Sequence, residues 1–174
     1  MIVLALDAGN SHTGFAVLCE NYNPIKFGKA NNFEVLKMVS ELNYDVLVCE
    51  MVASYGMPVG ATVFETCCWI GRFEQAAFAR GIRTDRIFRK EEKLNLCGSM
   101  QAKDGNIRRA LIDRFAKTES GKGTKADPDF FYGFSADAWT AYAVGVTYID
   151  KLLQDIKYER MIADALEMEN RHDK

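Results

Sequence analysis

Residues 1–19, MIVLALDAGNSHTGFAVLC, decide the fold of this chain. Residues 2–6 and 15–19 are apolar runs of the kind that form buried β-strands. The polar stretch DAGNSHTG between them contains two glycines, which are typical of a tight turn. Two such strands joined by a glycine-containing turn predict a β-hairpin, and Asp7 stands where its first strand ends.

The rest of the chain alternates between strand-like and helix-like patterns. Residues 45–49 predict a buried parallel strand that ends at Glu50, and shorter strands are predicted at 26–30 and 86–89. Helical spacing is found in the ranges 33–42, 62–80, 90–97, 107–115 and 135–153. Asn31 or Asn32 and Thr62 are the expected N-caps of the first two helices. An antiparallel start followed by parallel crossovers predicts an α/β domain with a mixed sheet flanked by helices.

Composition limits the class of protein. The chain has 174 residues, of which 48% are hydrophobic, and this is enough for one domain with a core of its own. We expect that domain to span residues 1–156, followed by a charged helix or tail at 157–174. No eighteen-residue apolar run or signal-peptide pattern is seen, so neither a membrane span nor secretion is expected.

The cysteines and histidines favour a reducing compartment. The five cysteines include no C-x-x-C pair, and there are only two histidines. A disulfide framework and a structural zinc site are therefore not expected. We expect the protein in the cytoplasm.

Three acids stand where catalytic groups gather in α/β proteins. Asp7 and Glu50 each follow a buried run, and Asp137 lies near the start of the last predicted helix. Functional side chains collect beyond the carboxyl ends of such strands. Carboxylates from three separate elements suit Mg²⁺, or Mn²⁺ as a substitute. Taken singly, the same residues also fit ordinary roles as a turn cap, an exposed strand end and a first-turn acid.

The middle of the chain is basic although the net charge is −2. Residues 72–125 hold twice as many Lys and Arg residues as Asp and Glu residues. A surplus of this kind forms either a phosphate-binding face or a solvated helix surface, and charge alone does not decide between them.

Several of these segments together resemble the RuvC-type Holliday-junction resolvases, in the divergent form of phages and prophages. The opening LALDAGNSHTGFAVL is similar to the D-x-G-x-x-x-T-G start of that family, and Glu50 stands where its second acid ends a strand. The helix ending IGRFEQAAFARG, the segment KLNLCGSMQAKDGNI and the last helix SADAWTAYAVGVTY also resemble their counterparts. The resemblance covers residues 1 to about 149 and implies a ribonuclease H-like fold.

The resemblance also implies a function. It suggests a Mg²⁺-dependent endonuclease that cleaves branched DNA, such as four-way junctions, flaps or forks, and leaves a 5′-phosphate. Asp7, Glu50 and Asp137 would be its catalytic and metal-binding acids. DNA contacts are expected from Lys93, whose spacing to Gly98 matches the family, and then from Lys103, Arg108, Arg89 and Tyr55.

The chain departs from the family pattern at two places. The family has two acidic or histidine positions three residues apart on the last helix. Either Asp137 is the first and Thr140 replaces the second, or Asp137 is the second and Phe134 replaces the first. Asp127 and Asp129 are possible substitutes for the missing acid. The family also has an aromatic residue three positions after the strand-ending Glu; here that position is Ala53, and Tyr55 is the nearest aromatic.

A homodimer is expected, because paired cuts need two equivalent sites. The helix from Phe64 to Phe78 is the expected interface, since it carries more apolar residues than one buried stripe requires. The alternative is that most of these residues fill the core.

Two other functions fit parts of the sequence. The D-x-G-N-S opening resembles the phosphate-binding turn of acetate- and sugar-kinase-like ATPases, although these have a second domain and a second such turn. The only later D-x-G, Asp104-Gly105-Asn106, does not follow a predicted strand. A catalytically inactive domain that only binds branched nucleic acid is the other alternative. The missing acid favours it, whereas the presence of Asp7, Glu50 and Asp137 argues against it.

Overall fold

The five strands form one mixed sheet in the order β3-β2-β1-β4-β5. The structure is a computed structural model that describes residues 1–54 and 56–172, with side chains up to Ala165. The strands are β1 (Ile2–Asp7), β2 (His12–Cys19), β3 (Pro24–Asn31), β4 (Val46–Met51) and β5 (Arg83–Phe88). β1, β2 and β3 are antiparallel neighbours, whereas β4 and β5 run parallel to β1. The predicted hairpin and the later strands are confirmed, although β4 ends one residue after Glu50 and β5 covers 83–88 instead of 86–89, with Arg89 in the following helix.

The described helices are α1 (Asn32–Glu41), α2 (Ala61–Phe78), α3 (Arg89–Cys97), α4 (Asp104–Phe115) and α5 (Ala136–His172). They cover both faces of the sheet. α1 and α2 pack on one face through a cluster that includes Val35, Val39, Ile70 and Phe73. α4 and α5 pack on the other, where Tyr142 is among the largest fully buried side chains. The chain thus has the expected α/β architecture, a mixed sheet flanked by helices.

The alternation of side chains along each strand fixes what reaches the α5 face. Successive strand residues point to opposite faces of a sheet. In β1, Leu4 and Leu6 belong to the α1–α2 cluster, whereas Val3 and Ala5 belong to the α5 cluster. Asp7 continues the series of Val3 and Ala5, so it projects towards α5. In β4, Glu50 continues the α5-facing series of residues 46 and 48 in the same way.

Helix ends match the predictions only in part. Asn31 caps α1, where its side chain accepts a hydrogen bond from the Glu34 N–H. Thr62 does not cap α2; Gly60 holds that position and makes no side-chain bond. The Thr62 carbonyl instead accepts a hydrogen bond from the Thr66 hydroxyl inside the helix.

The last helix is longer than its apolar pattern predicts. Apolar spacing ends near Leu153, but α5 continues without a break to His172. Residues 154–172 contain neither Gly nor Pro, the residues that most weaken a helix. The division at residue 156 stays a prediction. Among the described residues, no helix combines the length and apolar character needed to cross a bilayer.

α2 places most of its apolar residues in the core. Trp69, Ile70 and Phe73 are buried, whereas Phe64 is 61% exposed and Phe78 is 72% exposed. Burial in the core therefore explains part of the excess of apolar residues in α2, and two aromatic rings of this helix stay on the surface. The dimer stays a prediction.

A glycine lets α5 begin close to the sheet. Gly14 lies opposite Asp7 in the β1–β2 register. A Cβ atom built on Gly14 would lie 2.6 Å from the backbone oxygen of Asp137, at the start of α5. Because any larger residue would collide with backbone there, Gly14 fixes the distance between the hairpin and the first turn of α5.

The substitution Gly14→Ala should destabilise the protein by about 1–3 kcal/mol, because the first turn of α5 has to move away from β2. Urea unfolding measures this change. Gly71→Ala is the matched control, since a Cβ on this exposed α2 glycine meets no atom within 4 Å. We expect that control to stabilise by about 0.5–1 kcal/mol. Equal stability of the two variants would contradict the close packing of α5 on Gly14.

Candidate active site

Two acids meet at the carboxyl ends of the central parallel strands. Leu6 of β1 pairs with Cys49 of β4, so the next residues along, Asp7 and Glu50, are neighbours. Their carboxyl groups are close enough for each to shift the pKa of the other. The two predicted acids are therefore brought together by strand register alone.

Burial and the charges of neighbouring acids raise the pKa of both Asp7 and Glu50. Burial raises the pKa of Asp7, while the Glu50 hydrogen bond and the nearby Arg89 charge oppose that rise. Burial and the charge of Asp7 raise the pKa of Glu50 from 4.5 to about 7. Perturbed acids that share a site at the edge of a sheet are typical of functional centres.

A third acid in this cluster, Glu92, was missed from the sequence. Its side chain lies on α3 and is fully buried. Burial and the charge of Glu50 raise its pKa to about 9. One oxygen, Oε2, accepts a hydrogen bond of 2.7 Å from Arg89 Nη1, whereas Oε1 has no hydrogen-bond partner.

The position of Glu92 in the helical pattern could have revealed it. Phe88, Glu92 and Leu96 are four residues apart and share one helix face. Leu96 packs against the core, so Glu92 stands in a row that should be apolar. A buried acid in such a row needs a charged or hydrogen-bonding partner, or it serves a function.

Arg89 connects the acids. Its guanidinium bonds Glu92, contacts Asp104 at the start of α4, and has its Nε 4.0 Å from Glu50 Oε1. Arg89 is the first residue of α3, directly after β5 ends at Phe88, so it lies at the same carboxyl edge of the sheet as Glu50. The predicted DNA-binding residue Arg89 is thus placed inside the acid cluster.

The last helix contributes Asp137 and Thr140. Asp137 lies in the first turn of α5, and its Oδ1 is 3.0 Å from Nζ of Lys29 on β3. The charge of Asp137 nevertheless raises the pKa of Asp7, whereas the hydroxyl of Thr140 lowers that pKa. Both residues therefore lie on the Asp7 side of the helix.

The other residues considered for the missing acid lie elsewhere. Phe134 is buried in an aromatic cluster with Phe27 and Phe131. Asp129 accepts hydrogen bonds from Thr118 and from backbone N–H groups of its own loop, which lowers its pKa. The backbone of Asp127 belongs to the same loop. Thr140 is the position that faces Asp7.

These groups suit a divalent cation in chemistry but are not assembled into a cage. Carboxylate oxygens are the donors that Mg²⁺ and Mn²⁺ prefer, and the unpartnered Glu92 oxygen leaves one donor unused. Within the described residues, no three His, Cys, Asp or Glu side chains are grouped closely enough to hold a metal ion. Arg89 and Lys29 supply the positive charges that the acids contact.

A cleft of about 330 Å³ opens beside the acids. Asp137, Thr140, Arg89 and Arg108 are among the residues that line it. Arg108 also stacks on Trp139, with its guanidinium carbon 4.8 Å from the ring centre. This places one predicted DNA-binding residue, Arg108, next to the acid site and holds it there by a cation–π contact.

The remaining predicted DNA contacts are spread over neighbouring elements. Lys93 is half-buried on α3, directly after Glu92. Lys103 is exposed at the N-terminus of α4, where its backbone N–H donates to the Asn106 side chain. Tyr55 lies outside the described residues.

The chain is similar in structure to two solved structures of RuvC. For "Thermus thermophilus RuvC structure" the TM-score is 0.64 at 15% identity, with 84% of this chain and 92% of that chain covered. For "T. thermophilus RuvC in complex with Holliday junction substrate" it is 0.63 at 13% identity, with the same coverage.

A third similar structure is a ROK family protein from Streptococcus pneumoniae TIGR4 in complex with sucrose, with a TM-score of 0.39 and 12% identity. It covers 57% of this chain and 38% of that chain. No protein-family model matches the chain, and no curated protein matches its sequence. Sequence order, sheet topology and the two RuvC structures agree on one architecture: the chain has a RuvC-like, ribonuclease H-like fold.

Proposed function

We propose that this protein is a metal-dependent endonuclease that cleaves the phosphodiester bonds of branched DNA. The observation that carries the proposal is the strand register that places Asp7 beside Glu50 at the carboxyl edge of a RuvC-like sheet. Two buried carboxylates in contact repel each other, and a divalent cation removes that repulsion.

The chain's own residues have distinct roles in this reaction. Asp7 and Glu50 would hold the cation, and Asp137, whose carboxylate pairs with Lys29 in this structure, would be a further ligand. A bound Mg²⁺ supplies a water of lowered pKa and stabilises negative charge on the phosphate. The hydroxyl of Thr140, which lies near Asp7 and lowers its pKa, would help to keep that carboxylate ionised.

The reaction is a hydrolysis. The oxygen of a water molecule forms a bond to phosphorus, and the bond from phosphorus to the 3′ oxygen breaks. The 3′ oxygen takes up a proton and leaves as a hydroxyl, while the phosphate stays on the 5′ end. The acids orient the water in line with the leaving oxygen.

The cleft beside the acids receives the DNA backbone. Arg108 lines it and is held by Trp139, so its guanidinium is positioned to bind phosphate. Lys93 on α3 and Lys103, the N-cap residue of α4, are further proposed phosphate contacts. Arg89 acts closer to the acids, where it balances their charge until the cation is bound.

Branched DNA is the proposed substrate because one of the two similar RuvC structures is a complex with a Holliday junction. Two cuts in such a substrate require two sites, which a homodimer supplies. The exposed rings of Phe64 and Phe78 on α2 are proposed contacts in that dimer.

Cleavage of a labelled four-way junction should require Mg²⁺ or Mn²⁺ and stop in EDTA. Asp7→Asn and Glu50→Gln should abolish cutting, and Asp137→Asn should slow it by orders of magnitude, because each removes a charge that holds the cation. All three variants should still bind the junction in gel-shift assays. Linear duplex and flap DNA are cleaved in parallel to determine the preferred structure.

Robust cleavage in EDTA would contradict this mechanism. Junction binding by the wild type without cleavage under any divalent ion would instead favour the catalytically inactive binding domain. Glu65→Gln is a control for loss of a carboxylate, since Glu65 lies on α2 and contacts Asn10 outside the acid cluster. It should cut at the wild-type rate.

Arg108→Ala should weaken DNA binding and reduce its salt dependence. The logarithm of the binding constant falls with a slope of about −0.9 per phosphate contact against the logarithm of salt concentration. Losing one contact should lower that slope by about one unit, and Lys93→Ala should do the same. Fluorescence anisotropy over a salt series measures it.

The matched control is Arg109→Ala, the next residue on α4. Arg109 pairs with Asp113 on the exposed side of that helix. Its removal should leave the slope unchanged. Equal slopes for the wild type, Arg108→Ala and Lys93→Ala would place those two side chains on solvated surface.

Without metal, the protein should lose stability as pH rises from about 5.5 to about 8.5. The pKa of Glu50 is higher in the folded chain, at about 7, than the ordinary 4.5, so the folded state binds this proton more tightly. That stabilisation is complete below about pH 4.5 and is lost as pH passes through 7. Differential scanning calorimetry in EDTA measures the Tm.

Mn²⁺ should reverse the trend, because it needs ionised carboxylates and binds more tightly at higher pH. The Tm increase caused by Mn²⁺ should therefore be larger at pH 8.5 than at pH 5.5. Glu50→Gln should reduce both effects. A Tm that rises with pH in EDTA would show that the pKa of Glu50 is not raised in the folded protein.

A further inference from the structure

Glu92 is a buried acid with one oxygen left without a partner. Its side chain has no solvent exposure, yet Oε1 accepts no hydrogen bond. A buried carboxyl oxygen without a partner costs free energy, and native structures keep few of them. The cost is compensated if the oxygen binds something that the polypeptide does not supply.

The surroundings of Glu92 indicate what that group is. Arg89 uses Nη1 for Glu92 and places its Nε 4.0 Å from Glu50 Oε1, so the two carboxylates lie around one guanidinium. The charges of Glu50 and Asp7 both act on Glu92. Three carboxylates, Glu50, Glu92 and Asp104, thus contact one partly buried guanidinium, which leaves two negative charges uncompensated when all three are ionised. That deficit is the charge of one divalent cation.

Thr140 supplies the second reason. It lies on α5 on the Asp7 side of the site and carries a neutral hydroxyl where the resembling family has an acid or histidine. α3 packs against α5, so an acid on α3 can reach the same carboxylates from another direction. The acid missing from α5 is then matched by an additional acid on α3.

We propose that Glu92 is a metal-binding carboxylate of this site and substitutes for the acid that position 140 lacks. The inference rests on the proposed metal-dependent function. It goes beyond that function because it assigns to α3 a ligand that its sequence pattern would place in the core. A purely structural Glu92, which only holds Arg89 in place, is the competing explanation.

The experiment measures Mn²⁺ binding to the full chain without DNA, by electron paramagnetic resonance of free Mn²⁺ and by calorimetry. Glu92→Gln should lower the affinity at least about tenfold, as Glu50→Gln does. Glu91→Gln is the matched control, because Glu91 is the next residue on α3 but pairs with Lys151 away from the acids. Its affinity should equal that of the wild type.

The double variant Glu92→Gln/Thr140→Asp separates the two roles of Glu92. If Glu92 substitutes for an acid at 140, the new aspartate should restore most of the lost Mn²⁺ affinity. If Glu92 only holds Arg89, an acid on α5 cannot replace it. Circular dichroism and Tm establish that each variant is folded.

Wild-type Mn²⁺ affinity in Glu92→Gln, with a loss in Glu50→Gln, would overturn the inference and leave the proposed function intact. No Mn²⁺ binding by the wild type, or no effect of Glu50→Gln, would overturn both. If Glu92→Gln does not fold, Glu92→Asp replaces it; this variant keeps the charge and draws the carboxylate back by one methylene. Unchanged affinity in Glu92→Asp would also overturn the inference.

Discussion

The crowding of buried carboxylates around one arginine is the constraint on which the rest of this structure depends. Asp7, Glu50 and Glu92 come from β1, β4 and α3, and burial raises the pKa of each. The charge of Asp7 raises the pKa of Glu50 further, and the charges of both raise that of Glu92. No single element creates this arrangement. Parallel pairing of β1 with β4 creates the first contact, and the return of the chain through β5 into α3 brings Arg89 and Glu92 to it.

The second constraint is the close approach of α5. Gly14 lies opposite Asp7 and leaves space for the Asp137 backbone, so the hairpin, the acid pair and the last helix are built against one another. Gly145 has the same role further along, where a Cβ would meet the Leu18 side chain. Small residues thus let α5 serve both as the main core helix and as one wall of the site.

The sequence predicts the features that depend on local patterning. Apolar runs identify the hairpin and β4, and strand ends identify Asp7 and Glu50, because these depend on side-chain alternation within one segment. Glu92 was missed because its burial depends on α3 packing against α5. The Thr62 cap was wrong because Gly60 holds the N-cap position of α2 and the chain enters the helix there without a side-chain bond. The end of α5 was missed because a charged helix without Gly or Pro has no apolar pattern to mark its continuation.

The crowding of acids also explains where the basic side chains of the site lie. Two basic side chains contact acids near the cleft: Lys29 on β3 contacts Asp137, and Arg89, the first residue of α3, contacts Glu50 and Glu92. Exposed ion pairs such as the one with Lys29 contribute little stability and are readily exchanged. The Arg89 contacts are more buried, and breaking one of them leaves a charge uncompensated. Asp137 is therefore the acid that can reorient most easily, whereas Glu50 and Glu92 form the fixed part of the site.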